Sequence, residues 1–294
     1  MLPGIGVRSP RPPSKSILPQ MPAKCCARIF LALYCFGALG QNPPARGAED
    51  SDLVRTVERA KTSIVRLRIK GDAGGWATGF LVNREGIVGT AHHVIAHAVE
   101  IIVEIEIPST TDLFTSTAQV VAQDPDHEIA VLQLAENPFT TIESLTPVTI
   151  NDGARKDGES LFLPGYAFGS SSPIMTFGII STVKNPRFPD ISIGWDAFLA
   201  DLKNFNGQSG GAVFLSKTGE LIGILHGGVA EPAFTQRTHD PVATESGQAI
   251  SYGIGMAEII RAKYLTFLLK SKHIPFDHKG QGVSPKRLTS PHPK

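Results

Sequence analysis

Asn206-Gly207-Gln208-Ser209-Gly210-Gly211 encloses a serine between glycines, the arrangement that a backbone oxyanion hole around a nucleophile requires. Glycine at 207 lets the chain turn so that the amides of residues 207 and 209 converge on a developing negative oxygen, while Gly210 and Gly211 leave room for a substrate. The chemistry it points to is acyl transfer. A glycine-serine run is also the composition of a plain flexible turn, so the reading depends on what stands upstream. There, Gly86-Ile87-Val88-Gly89-Thr90-Ala91-His92-His93-Val94-Ile95 carries a strand-like stretch into a pair of histidines and supplies a base. Between the two lies Asp124-Pro125-Asp126-His127-Glu128-Ile129-Ala130-Val131-Leu132-Gln133-Leu134, where acidic residues precede a hydrophobic strand. The order along the chain is base, acid, nucleophile.

Four blocks carry a resemblance to a known family. Gly75-Trp76-Ala77-Thr78-Gly79-Phe80-Leu81-Val82 is similar to a Gly-Ser-Gly-Phe strand, and Thr90-Ala91-His92-His93-Val94 to a Thr-x-x-His-Val block. Glu128-Ile129-Ala130-Val131-Leu132 stands in the place of Asp-(Ile/Leu)-Ala-Val-Leu, and Gly207-Gln208-Ser209-Gly210-Gly211 in that of Gly-(Asn/Asp)-Ser-Gly-Gly. Together they resemble the trypsin-like serine peptidases of chymotrypsin fold, in particular the bacterial HtrA/Deg and glutamyl endopeptidase branches. Their order of catalytic residues is also the chymotrypsin order, unlike that of subtilisins or α/β-hydrolases. The blocks frame residues from about 50 to 265, the whole expected globular region.

The resemblance implies an all-β fold of two antiparallel six-stranded β-barrels with a C-terminal helix. It implies an acyl-enzyme mechanism on polypeptide substrates, with Ser209 as nucleophile, His93 as base and the amides of Gly207 and Ser209 as oxyanion hole. No cofactor or metal is called for. His92 falls on a variable position. The acid position holds Glu128 where the family usually has Asp; a carboxylate one methylene longer can still orient an imidazole, and some α/β-hydrolases use glutamate in this role. Two other readings stand beside it: Glu128 as a solvated strand cap, or Asp126 or Asp124 as the acid. The alternation of Ile129 and Val131 with Ala130 and Leu132 places residue 128 immediately before the strand and favours Glu128. A catalytically silent peptide-binding module on the same fold is the competing class.

Composition agrees with a sizeable, turn-rich β protein: 294 residues, 41% hydrophobic, 19% charged, 29 Gly and 22 Pro. A net charge of +1 gives no reason to invoke nucleic acid or an anionic membrane surface. Cys25, Cys26 and Cys35 all fall in one N-terminal segment, a basic patch followed by the apolar run Ile29 to Gly40. This reads as a secretory signal, too short for a transmembrane helix of about 20 residues, with Met21 as an alternative start. Secreted or periplasmic localisation follows, with no stable membrane association after cleavage; an uncleaved membrane anchor is the other reading of the same run.

Residues 1–47 are expected to be leader and spacer, and 48–270 the peptidase domain. Barrel one spans about 62–145, barrel two about 155–255 and the terminal helix 256–270, whose Met256, Ile259, Ile260, Tyr264, Phe267 and Leu268 recur at helical spacing. Ser51-Asp52 reads as the cap of a short helix. Ser63 to Ile69 alternates Val65, Leu67 and Ile69 against Arg66 and Arg68, the pattern of an exposed edge strand. Residues 271–294 read as a disordered basic tail, leaving no room for the PDZ domain that HtrA proteins usually carry.

His93 and His97 could share a helical face, but no His-Glu-x-x-His pattern accompanies them, so no metal is expected. For specificity, Leu221-Ile222-Gly223-Ile224-Leu225-His226-Gly227-Gly228-Val229 resembles a glutamyl endopeptidase stretch whose histidine faces an acidic substrate side chain. Here His226 stands one residue late. A step of one reverses the face of a strand, which leaves Leu225 at the pocket position with His226 and Gly227 beside it. Acidic and small apolar preferences both stay open.

Overall fold

The computed structural model describes residues 46–71, 74–107, 112–184, 196–230 and 253–279. The expected signal, its three cysteines and most of the basic tail lie outside the described residues. The first barrel is a closed ring in the order β1 (Ile64–Lys70), β2 (Gly75–Leu81), β3 (Ile87–Ala91), β6 (Ile129–Leu134), β5 (Leu113–Asp124), β4 (Glu100–Glu106). The second closes β8 (Ser160–Gly165), β9 (Ile174–Thr182), β10 (Ala197–Asp201), β13 (Gly253–Arg261), β12 (Leu221–Ala230) and β11 (Ala212–Leu215), the ring completed by β11 pairing with β12. Two-residue strands β7 (Thr149–Ile150) and β14 (Asp277–His278) add in parallel beside β12.

Alternation sends one face of each strand inward, and closure leaves no long unpaired edge. Val65, Leu67, Leu81, Val103, Leu132 and their neighbours fill barrel one; Leu161, Leu163, Phe198, Val213, Leu225 and Ile259 fill barrel two. A third cluster draws on both barrels through Phe80, Phe162 and Phe214, and on two helices, α1 (Arg46–Lys61) and α3 (Ala262–Ser271). Each fully buried phenylalanine contributes about 1.5–3 kcal/mol of hydrophobic stabilisation.

Four expectations need correction. The tail expected to be disordered from residue 271 is ordered through residue 279, where Asp277 and His278 pair with Thr149 and Ile150 of β7. The terminal helix begins at Ala262, and residues 253–261 are strand β13. Ile259 faces the barrel core and Ile260 the shared cluster, so a strand buried on both faces produced the adjacent apolar residues that also satisfy helical spacing. Helix α1 begins at Arg46, which makes Ser51-Asp52 interior to it. Strand β1 is no edge: it pairs with β2 on one side and β4 on the other. Arg66 is buried, with Nε 2.8 Å from Glu104 Oε2 and Nη1 2.8 Å from the Ser170 carbonyl of the second half. Closing the ring turned its expected solvent face into an interior ion pair.

Candidate active site

Strand β3, buried along its whole length, ends at Ala91 and opens the single turn α2 (His92–Ile95). His93 rides on that turn with its side chain 38% exposed. At the junction of β5 and β6, Pro125–His127 form a 3-10 turn whose last step leaves Glu128 left-handed, at φ 57° and ψ 38°. Non-glycine residues reach that region at a cost of about 1–2 kcal/mol. The His92 amide donates to the Glu128 carbonyl at 3.0 Å, and Glu128 Oε2 accepts the His93 amide at 3.0 Å and pairs with His93 Nδ1 at 2.9 Å. One carboxylate oxygen thus holds both the backbone and the ring of His93.

The competing acids are placed elsewhere. Asp124 caps the 3-10 turn, accepting the His127 amide and pairing with His127 Nδ1 at 2.8 Å, and Asp126 is exposed. Burial holds His93 below its ordinary imidazole value, outweighing the pull of Glu128 upward; neighbouring His226 adds to the depression. Burial pushes Glu128 up, but the ring and amide of His93 together carry it below the ordinary carboxylate value.

The serine loop is held from barrel one by Thr78, which is fully buried. Its hydroxyl donates to the Gly207 carbonyl at 2.7 Å and accepts the Tyr166 amide at 3.0 Å, while its own amide donates to the Ser209 carbonyl at 3.1 Å. Gly210, at φ 80°, packs so closely that a Cβ there would lie 2.1 Å from Thr90 Oγ1 and 2.9 Å from the Ala91 nitrogen. Only glycine brings the loop that near to the segment leading into His93. Gln208 is buried, its amide oxygen accepting the Phe205 amide at 2.9 Å. Among the described residues, neither the Gly207 nor the Ser209 amide donates a hydrogen bond, which leaves both for an oxyanion. No hydrogen bond joins the Ser209 hydroxyl to His93; in free enzymes such bonds are often long and tighten around substrate.

Leu225 is 1% exposed in the core of barrel two, with its amide and carbonyl paired to Gly211 and Gly210. His226 instead meets His93, ring centroids 5.1 Å apart and planes at 82°. A Cβ at Gly227 would meet nothing within 4 Å, so that position is open. Sequence reasoning missed Thr78, Gln208 and Glu258; an acid inside the apolar run Met256 to Ile260 was the available signal for the last. His93, Glu128 and His226 each place one donor atom within 4.8 Å of the other two, the one group of metal-binding spacing among the described residues.

The trypsin-like peptidase domain matches residues 77–224, half of the chain, from Thr78 through Ser209. The chain belongs to the trypsin-like peptidase domain family. Among curated relatives it is 30% identical over 154 residues to a probable periplasmic serine endoprotease, DegP-like, of Pseudomonas fulva (strain 12-X), covering 52% of this chain and 29% of that one. It is 31% identical over 149 residues to the protein of the same description in Chlamydia trachomatis serovar D, covering 50% and 27%. The chain therefore spans less than a third of the length of these relatives. Among solved structures, an HtrA-type protease, AlgW with tripeptide, superposes with TM-score 0.56 at 24% identity over 74% of this chain and 62% of the other. Deg5 does so with TM-score 0.50 at 23% identity over 61% and 86%. These structural likenesses bear on the fold: two barrels in the trypsin-like peptidase arrangement.

Proposed function

We propose that this protein is an exported serine endopeptidase that hydrolyses peptide bonds through an acyl-enzyme. The observation that carries the reading is the double hold of Glu128 on His93 beside a glycine-framed Ser209 whose flanking amides are unspent. Ser209 Oγ attacks the scissile carbonyl, and His93 takes its proton. The amides of Gly207 and Ser209 receive the oxyanion, and His93 returns the proton to the leaving amine as the acyl-enzyme forms. Water, deprotonated by the same histidine, then attacks the acyl carbon; the bond to Ser209 Oγ breaks, His93 returns the proton to that oxygen, and the acid leaves. Glu128 keeps the Nδ1–H tautomer and stabilises the imidazolium. Extended polypeptide would lie along β12 past His226 and Gly227, where the strand is open.

The relatives described as periplasmic support export, as does the basic-apolar leader. N-terminal sequencing of exported material should begin between Gln41 and Glu49. The direct test of the catalytic reading is a fluorophosphonate probe. It should modify Ser209, with labelling lost in Ser209→Ala and His93→Ala and largely kept in His92→Ala. A wild-type protein that takes no label while remaining folded would instead be the silent binding module.

A further inference from the structure

A second histidine–carboxylate pair closes on His93 from barrel two. Strand β12 pairs with β13 at Leu225↔Ile259 and next at Gly227↔Glu258, so two steps along β12 answer one step along β13. His226 is the extra residue of that bulge. A bulge bends its strand and re-aims the side chain it carries, and here Leu225 stays in the core while the His226 ring meets the His93 ring edge-on. His226 Nδ1 lies 3.1 Å from Glu258 Oε2. Glu258 is 9% exposed, and its second oxygen is buried without a hydrogen bond among the described residues. Burying a carboxylate is costly unless a partner holds it, so the strand carries this acid at a loss that its grip on His226 offsets.

Resting on the catalytic reading above, we propose that His226, clamped by Glu258, is a positioning residue that keeps the His93 ring seated against Glu128 during turnover. His93 needs such a wall. It sits on a single helical turn, is partly exposed, and is protonated and deprotonated twice per cycle; a ring free to swing toward water leaves both Glu128 and Ser209. An edge-to-face contact at 5.1 Å is van der Waals contact between the rings, and Glu258 prevents His226 from giving way. Among the described residues, the charged and titratable groups around the pair include Glu128 and His92 beside His93, and Glu258 beside His226. Protonated His226 would disfavour a second charge on His93, so the wall also bears on the pH at which the base is competent.

The test uses the full chain and saturation kinetics with a fluorophosphonate, which separate probe binding from the rate of Ser209 modification. His226→Ala should lower the modification rate about tenfold to hundredfold, the scale on which small misplacements act, with probe binding within about twofold. His226→Phe restores a ring and should recover most of the rate. Lacking the charge, it should move the acid limb of the labelling profile to higher pH, a shift that a purely structural residue would not cause. Glu258→Gln should fall between the two. If the alanine variant fails to fold, the acid-limb shift in the phenylalanine variant and the rate in Glu258→Gln decide the matter. Wild-type rates and profiles in those variants, or an effect of His226→Ala on probe binding alone, would overturn the positioning role. Absence of labelling in the wild type, or labelling that survives Ser209→Ala, would remove the catalytic reading and this inference with it.

Discussion

Glu128→Gln isolates the contribution of the orienting carboxylate. In the wild type one oxygen, Oε2, accepts both N–H groups of His93 at 2.9 and 3.0 Å. An amide can turn its oxygen to that point and keep both bonds, so the backbone turn should survive; the negative charge does not. Opposite unit charges about 4 Å apart interact by about 4 kcal/mol at an effective dielectric near 20. With the His93 side chain 38% exposed, solvent screening reduces this to about 3 kcal/mol. At about 1.4 kcal/mol per factor of ten, the imidazolium-forming step slows at least a hundredfold. An amide turned the other way presents N–H to Nδ1 and enforces the wrong tautomer, extending the loss toward about 10⁴. Glu128→Asp keeps the charge but withdraws it by about one bond length, about 1.5 Å. Both hydrogen bonds then break, with a loss of about tenfold to hundredfold. Aspartate tolerates the left-handed backbone at this position, so folding should not suffer. Turnover of a fluorogenic protein substrate, with circular dichroism as the folding control, reads both variants. Near-normal turnover in Glu128→Gln together with collapse in Asp124→Asn or Asp126→Asn would refute the assignment.

Acidification gives a second check. Because burial depresses His93, the acid limb of kcat/KM should fall below the ordinary histidine value of about 6.5, and a limb at or above that value would contradict the burial described. The same two groups fix the sign for stability. His93 and Glu128 both titrate lower in the folded protein, so each contributes stability above its unfolded value that is lost as pH falls through its folded one; denaturant melts should show lower stability on the acid side. Thr78→Val keeps the volume but strands the Gly207 carbonyl and the Tyr166 amide. At about 1–3 kcal/mol for each of these two groups, about 2–6 kcal/mol together, the melting temperature should drop by roughly 4–24 °C, and fluorophosphonate labelling should slow because the Gly207 amide loses its support. An unchanged melt and labelling rate would show that the clamp is dispensable.

The order of histidine, acid and serine, the glycine frame and the short alternating strands are local facts of the chain, and through the resemblance they carry to the trypsin-like peptidases they implied two barrels and three candidate catalytic residues. Glycines at 207 and 210 announce themselves because backbone torsion is a property of the residue that must adopt it. Other features depended on which strands became neighbours. Arg66 reads as solvent-facing until β4 closes the ring and hands it Glu104. Residues 256–260 satisfy helical and strand spacing alike, and only their pairing with β10 and β12 decides between them. The bulge at His226 lies deepest: strand alternation counts residues on one strand, whereas a bulge is a mismatch between two. That mismatch, invisible in any single run of residues, sends Leu225 into the core, turns His226 onto His93 and brings Glu258 in behind it.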